Sequence, residues 1–187
     1  LAHSPQLFDV PRAGIVHRLD ADTSGLMVVA KTLAAQAHLV RQLQERSVTR
    51  EYWAVVLGMP APAGVVEVSI GRDPRNPLRF RVSHAPSAKA ARTRFAVVAT
   101  ARDGTARLSW VACRLDTGRT HQIRVHMEHI GHPLVGDPVY RRGLPGRAGD
   151  PRAWRGLARQ ALHASRLGLI HPTTGRAMTW FRAPPAD

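Results

Sequence analysis

Residues 117–131 read TGRTHQIRVHMEHIG and carry the clearest structural signal in the sequence. Spacings of three and four residues put the apolar side chains of Ile123 and Met127 on one face of a helix and Arg124 on the opposite face. A glycine and a nearby proline then end the pattern, as expected at a helix C-terminus. The stretch therefore predicts a helix over 121–130 that buries one face and presents polar groups on the other.

Short strands and tight turns account for most of the remaining sequence. An amphipathic helix is predicted over 33–46, where apolar residues recur at helical spacing. Runs typical of strands lie at 25–31, 52–57, 65–70, 78–83, 93–99, 106–115, 161–169 and 178–181. The dipeptide Asp103-Gly104 between two of these runs predicts a hairpin turn. This pattern predicts an α+β fold, with a mixed, largely antiparallel β-sheet flanked by helices and loops.

Length and composition are those of one globular domain. The chain has 187 residues, of which 44% are hydrophobic and 21% charged. Its longest apolar run, 26–30, is far shorter than the ~18 residues of a membrane helix. The first residues lack the pattern of a secretory signal peptide. A lone cysteine, Cys113, excludes an internal disulfide and fits a reducing compartment, so we expect a cytoplasmic protein.

Arginine dominates the charge of the chain. The net charge is +14, and 25 of the 27 basic residues are arginine. Arginine binds phosphate through paired N–H groups and stacks on bases, so a nucleic acid is the expected partner. A GC-rich genome is an alternative explanation for the preference for arginine over lysine, but it does not remove the charge. A basic, exposed loop is expected over 141–159.

The densest polar cluster is HRLDADTSG at 17–25, which runs into the predicted strand at 25–31. A carboxylate such as Asp20 can act there as a nucleophile or base, because adjacent strands hold a loop residue in position. The alternative is an ordinary Asx turn with a solvated salt bridge, since Asp, Thr and Ser are common turn formers.

Arg124 and Tyr52 are two further candidates that the residues alone leave open. An arginine on a rigid helix, after a Gly-Arg-Thr turn, can hold a carboxylate or a phosphate. It can equally form an intrahelical pair with Glu128, four residues further on. Tyr52 can stack on a base beside a basic cleft, although an aromatic residue in a strand more often belongs to the core.

Metal, serine-hydrolase and nucleotide-cofactor chemistry find little support in the sequence. His126, His129 and His132 are spaced three apart, but no cysteine or carboxylate at ligand spacing completes a set of metal ligands. Ser24 lacks the Gly-x-Ser-x-Gly elbow of a hydrolase nucleophile. Neither a P-loop nor a Rossmann glycine pattern is present. We expect no metal and no cofactor.

Four stretches, taken together, resemble the pseudouridine synthases of the RluA family, which modify ribosomal RNA. They are 14–31 (GIVHRLDADTSGLMVVAK), 50–58 (REYWAVVLG), 115–140 (LDTGRTHQIRVHMEHIGHPLVGDPVY) and 159–183 (RQALHASRLGLIHPTTGRAMTWFRA). They occur in the family's order and span nearly the whole chain. The resemblance implies the pseudouridine synthase fold and the isomerisation of uridine in RNA, with 23S rRNA or a large-subunit precursor as the expected substrate.

The resemblance also implies roles for individual residues. Asp20, in the His-Arg-Leu-Asp motif, would be the catalytic nucleophile, and Arg124, in the His-Gln-Ile-Arg motif, would pair with it and orient it. Tyr52 would stack on the target base and could assist proton removal, and Arg18 would occupy the space left by the flipped uridine. Further contacts with RNA are expected from His17, Thr23, Arg119, His121 and Gln122.

The implied reaction requires no metal or hydride carrier, because uracil is detached and reattached without net redox change. Asp20 can either attack the sugar or remove a ribose proton, and both routes remain open.

Two other functions compete with this one. The first is a catalytically silent RNA-binding or ribosome-assembly module with the same fold. The second is a glycoside or nucleoside hydrolase that pairs Asp20 with Asp116 or Asp137. A monomer that does not bind membranes is the family expectation.

The sequence departs from the family at its start. Family members carry an upstream strand with an Asn-Lys-Pro motif, often preceded by a small S4-like RNA-binding domain, and neither is present here. We therefore expect residues 1–187 to be a pseudouridine synthase catalytic domain truncated at its N-terminus. Its sheet would then lack a strand at one edge.

Overall fold

A computed structural model describes residues 7, 10–104, 106–141, 157 and 159–185. Its helices are α1 (Leu33–Gln44) and α2 (Gln122–His129), and a short 3₁₀ turn covers Pro11–Gly14. Its strands are β1 (Ser24–Gly25), β2 (Thr49–Leu57), β3 (Ala63–Glu67), β4 (Ile70–Asp73), β5 (Asn76–Val82), β6 (Arg92–Asp103), β7 (Ala106–Leu115), β8 (Leu162–Ile170) and β9 (Ala177–Phe181). Within these described ranges, no helix is long and apolar enough to span a membrane.

Among the described residues, seven strands form the main sheet, in the order β1-β8-β2-β7-β6-β3, with β9 paired to β8. The short β1–β8 pair is parallel, and the other pairs described in this sheet are antiparallel. Strands β4 and β5 form a separate two-stranded hairpin. The predicted α+β architecture with a mixed, largely antiparallel sheet is confirmed.

Helix α2 packs against the main sheet through the apolar face that its sequence predicts. Ile123 and Met127 are buried in a core cluster with Val111 of β7 and Val56 of β2. The helix ends at His129, and Gly131 takes a positive φ of 84° that side-chain-bearing residues rarely adopt. The predicted helix over 121–130 is confirmed to within a residue at each end.

Successive residues of strand β2 point to opposite faces of the sheet, one of which packs against α2 while the other carries aromatic side chains. Its residues alternate in burial, so Arg50, Tyr52 and Ala54 point to the same side. Trp53 points to the other side, where its ring packs edge-to-face against Trp110 at 4.7 Å between ring centroids. The period-2 alternation thus decides that Tyr52, and not Trp53, faces the helix side of the sheet.

Two of the strand predictions are wrong in extent. The sequence predicts a buried strand over 25–31, but only Ser24–Gly25 pairs with β8, and Val29 makes one isolated bridge to Ile15. The apolar composition misleads because Met27 and Val29 are exposed on the edge of the molecule. The run 65–70 is divided between β3 and β4.

The other elements follow the prediction closely. Helix α1 begins after Thr32, whose hydroxyl accepts a hydrogen bond from the Ala35 N–H, and it ends two residues before the predicted boundary. The predicted hairpin at Asp103-Gly104 joins β6 to β7, and β8 and β9 form the closing antiparallel pair. Most of the basic loop expected over 141–159 lies outside the described residues.

Candidate active site

Asp20 lies on the wall of a cleft of about 560 Å³ that opens between the 17–25 loop, β2 and the start of α2. Its side chain is 13% exposed. The backbone turns sharply here, since the Thr23 N–H donates to the Asp20 carbonyl over 2.9 Å. The carboxylate is therefore held by a local turn while its oxygens remain directed toward the cleft and toward α2.

Arg124 of α2 contacts Asp20 and a second carboxylate. Its Nη1 lies 3.2 Å from Asp20 Oδ2, while its Nε and Nη2 donate to Asp137 Oδ2 and Oδ1 over 2.7 and 3.0 Å. Burial opposes the charge, but the hydrogen bonds and charges of Asp137 and Asp20 raise the pKa of Arg124 above its usual value. A permanently charged guanidinium therefore stands beside the Asp20 carboxylate.

Asp137 and Tyr140 fix the position of that guanidinium. Asp137 Oδ1 also accepts the N–H groups of Val139 and Tyr140, so the carboxylate is saturated and fully buried. The Arg124 guanidinium carbon lies 4.9 Å from the centroid of the Tyr140 ring, within the range of a cation–π contact. The bidentate pair and the ring leave Arg124 one orientation, which directs Nη1 at Asp20.

His121 begins the helix and joins the same network. Its Nδ1 lies 2.8 Å from the Tyr140 hydroxyl, and its Nε2 lies 3.9 Å from Asp20 Oδ1. Burial lowers the pKa of His121, with Arg124 acting in the same direction and Asp20 against it. The ring is therefore predominantly neutral at pH 7. Its left-handed backbone, with φ of 55°, aims the imidazole into the cleft.

Tyr52 lines the same cleft from β2. It is 6% exposed, and burial, with a further contribution from Asp20, raises its pKa to about 12. The phenol is therefore protonated near neutral pH. A neutral aromatic ring beside Asp20 suits stacking on a base better than it suits removal of a proton.

The remaining predicted site residues also line the cleft, in two groups. Arg18 is exposed at its surface, and Arg119 donates through Nε to the Ala90 carbonyl.

Thr23 and Gln122 are buried and already hydrogen-bonded within the protein. Gln160 donates to Thr23 Oγ1, and Gln122 contacts the 117–119 turn and β6. His17 Nε2 accepts the N–H of Val28 over 3.1 Å. These buried groups hold the walls of the cleft in place.

The structure shows the contacts of the residues named in two alternatives, the helix pair of Arg124 and the second carboxylate of a hydrolase. An intrahelical pair of Arg124 with Glu128 was one alternative; the Arg124 guanidinium donates to Asp137 and Asp20, and Glu128 pairs with Arg79 at 2.8 Å. The proposed hydrolase partner Asp137 has both oxygens occupied, and Asp116 contacts Arg92 and Arg94.

Two of the three histidines that the sequence spaces three apart, His126 and His132, contact different parts of the protein. His126 contacts Thr93 and the Val68 carbonyl, and His132 contacts the Leu57 carbonyl. Among the residues that the structure describes, no cluster of metal-ligating side chains is found.

Sequence reasoning missed the positioning role of Asp137 and the presence of Arg50 in the cleft. Asp137 follows Arg124 by 13 residues, across a helix end, so no local spacing reveals their pairing. Arg50 did leave a signal, since it precedes Tyr52 by two positions and must share its face of a strand.

Comparison with known proteins identifies the family. The sequence model of the RNA pseudouridylate synthase family matches residues 2–129. The chain belongs to this family.

Particular relatives refine the comparison. The chain is 51% identical over 187 residues to "Ribosomal large subunit pseudouridine synthase D" of Nitrosomonas europaea, and 47% identical over 198 residues to the protein of that name from Escherichia coli (strain K12). All of the chain is covered in both cases, but only 52% and 57% of those relatives, so the chain spans about half their length.

Solved structures agree at the level of the fold. Human RNA Pseudouridylate Synthase Domain Containing 1 matches with a TM-score of 0.75 and 30% identity, covering 91% of this chain and 68% of the human one. Human RNA Pseudouridylate Synthase Domain Containing 4 matches with a TM-score of 0.70 at 24% identity, covering 92% of this chain and 71% of the human one. The second similarity supports the shared fold alone.

Proposed function

We propose that this protein isomerises specific uridines in RNA to pseudouridine, with 23S rRNA or a large-subunit precursor as substrate and residues 1–187 as its catalytic domain. The observation that carries the proposal is the 3.2 Å contact between Asp20, which lines the cleft, and a rigidly held Arg124 behind it. Membership of the family and the names of the most similar relatives support the choice of reaction and substrate.

Asp20 supplies the reacting carboxylate in this proposal. The bond between the ribose C1′ and uracil N1 breaks, the base rotates, and a bond forms between C1′ and uracil C5. C5 then loses a proton and N1 gains one, so the product is an isomer of uridine. Asp20 either attacks C1′, forming an ester bond that breaks when C5 attaches, or removes a ribose proton that returns to the sugar when C5 attaches. The Arg124 charge stabilises the carboxylate before the reaction and again when the base reattaches.

Tyr52 and Arg18 handle the base and the space that it leaves. The uridine must leave its stack to reach Asp20, at a cost of a few kcal/mol that favours loops over duplexes. Stacking on the buried, neutral Tyr52 ring offsets part of this cost. Arg18 is exposed at the cleft, where it can fill the position vacated by the base.

The charge of the chain supports the choice of partner. A net charge of +14 favours a polyanion, and Arg18 and Arg119 line the cleft together with Arg12 and Arg46. His17, Thr23, His121 and Gln122 shape the same surface. A cytoplasmic monomer that uses no cofactor completes the proposal.

Release of tritium from RNA labelled at uracil C5 tests this function. The full-length parent should release tritium from 23S rRNA transcripts, and Asp20→Asn should release none while binding RNA within several-fold of the parent. Asp22→Asn is the matched control, because Asp22 is an exposed carboxylate in the same loop, and it should remain active.

Two other outcomes would count against the proposal. Binding of RNA without tritium release by the parent would favour the silent RNA-binding module. Release of free uracil would favour a hydrolase.

A further inference from the structure

Arg50 carries a buried charge that has no partner in the described part of the chain. It lies on β2 and lines the cleft, and its exposure is only 7%. Its Nε is buried without a hydrogen bond, and none of the ion pairs found among the described residues includes Arg50. Burying an unpaired charge is costly, and that cost lowers the pKa of Arg50. A group in this state is suited to an external anion.

The acidic side chain that influences Arg50 is already engaged elsewhere. Asp116 Oδ2 lies 3.3 Å from Arg92 Nε and 3.1 Å from Arg94 Nε. Gly118 leaves room for the guanidinium, since a Cβ at that position would lie 2.6 Å from Arg50 Nη1. The turn that precedes α2 is thus shaped around Arg50.

His17 adds a second unpartnered donor to the same cleft. Its Nε2 accepts the Val28 N–H, so the proton of the neutral ring sits on Nδ1, which is buried without a described partner. Burial, with a contribution from Arg50, lowers the pKa of His17 to about 4, so the ring stays neutral at pH 7. Arg50 and His17 both line the cleft, and each has one buried nitrogen for which no described residue supplies an acceptor.

We propose that Arg50, assisted by His17, binds a backbone phosphate of the RNA beside the target uridine. Arg50 and Tyr52 are separated by two positions on one face of β2, roughly 7 Å, which is on the scale of one nucleotide. A phosphate, unlike a neutral uracil carbonyl, compensates the full guanidinium charge and can accept two parallel N–H bonds. This inference rests on the proposed function, because it assumes that the cleft receives RNA.

The test uses RNA hairpins that contain the target uridine and one uncharged methylphosphonate at a time. Dissociation constants are measured for the full-length parent, for Arg50→Met and for Arg114→Met. Arg114 is the matched control, because it is an exposed arginine on β7 that points away from the buried face of that strand.

One methylphosphonate next to the target should weaken the parent and Arg114→Met by about tenfold. Arg50→Met should bind the unmodified RNA about tenfold more weakly and show no further loss with that methylphosphonate. The slope of log affinity against log salt should fall by about 0.7 for Arg50→Met.

A second variant separates binding from folding. Gly118→Ala displaces the guanidinium without removing its charge, so it should reproduce the loss of sensitivity to the same methylphosphonate. If Arg50→Met bound unmodified RNA as tightly as the parent, or kept the parent's full response to every methylphosphonate, the proposal would be overturned.

The test also distinguishes this inference from the proposed reaction. It measures binding rather than turnover, so RNA held through Arg50 without tritium release would contradict only the isomerase function.

Discussion

The two walls of the cleft differ in how their arginines are satisfied. On the wall formed by α2, Arg124 donates to Asp137 and Asp20 and lies over the Tyr140 ring. On the wall formed by β2, Arg50 has neither a hydrogen bond nor an ion pair within the described residues. The hydrogen bonds of Arg124 hold its guanidinium beside the Asp20 carboxylate, whereas Arg50 keeps the unsatisfied donor that we propose contacts a phosphate.

The largest expected difference between the two walls is in the free energy of unfolding after Arg124 or Arg50 is replaced. Arg124→Met leaves the buried Asp137 carboxylate with two backbone N–H bonds but no counter-charge, so we expect the free energy of unfolding to fall by about 3–5 kcal/mol. Arg50→Met removes a buried charge that has no partner, so its unfolding free energy should be unchanged or higher. Urea denaturation at pH 7 without RNA measures both. Equal losses in the two variants would show that the walls do not differ in this way.

Acid should destabilise the protein through two histidines, one in the 17–25 loop and one in α2. Burial lowers the pKa of His17, which lines the cleft, and that of His126, in α2, from 6.5 to about 4. Because the folded pKa values lie below the unfolded one, the unfolded state binds more protons between about pH 4 and 6.5. Stability is therefore complete above pH 6.5 and falls as the pH drops toward 4, by at most about 3 kcal/mol for each ring.

His126→Gln checks the contribution of the α2 histidine. Its unfolding free energy should change less between pH 7 and pH 4 than that of the parent, as measured by urea denaturation at each pH. Identical pH dependence in the two proteins would mean that His126 does not supply this term.

The smallest effect is expected from variants of Tyr52, on β2, and it should appear in the affinity for RNA. Tyr52→Ala removes the stacking ring and should weaken binding of a target hairpin by about 1–3 kcal/mol. Tyr52→Phe keeps the aromatic ring and should bind as the parent does, because stacking requires the ring and not the hydroxyl. Fluorescence anisotropy with labelled RNA distinguishes these results. A comparable loss in Tyr52→Phe would assign the effect to the hydroxyl.

Local patterns in the sequence predict a helix or strand best where the spacing of its apolar residues shows which face is buried. The helix over 121–130 and the strand over 106–115 show a clear period, and the structure has both at nearly those bounds. The run 25–31 is apolar but has no such period. Its backbone pairs instead with scattered partners, such as Gly14 and the His17 ring. Composition alone cannot distinguish this irregular edge from a buried strand.

The sequence by itself determined the fold class, the family and the motifs that contain Asp20, Tyr52 and Arg124, because these depend on local order and residue type. Only the tertiary structure decided that Asp137 saturates Arg124 and that Arg50 stays without a partner among the described residues. Asp20 and Arg124 are separated by 104 residues, and their contact depends on how α2 packs against the sheet. Whether a buried charge is paired is a property of that packing, and no local spacing encodes it.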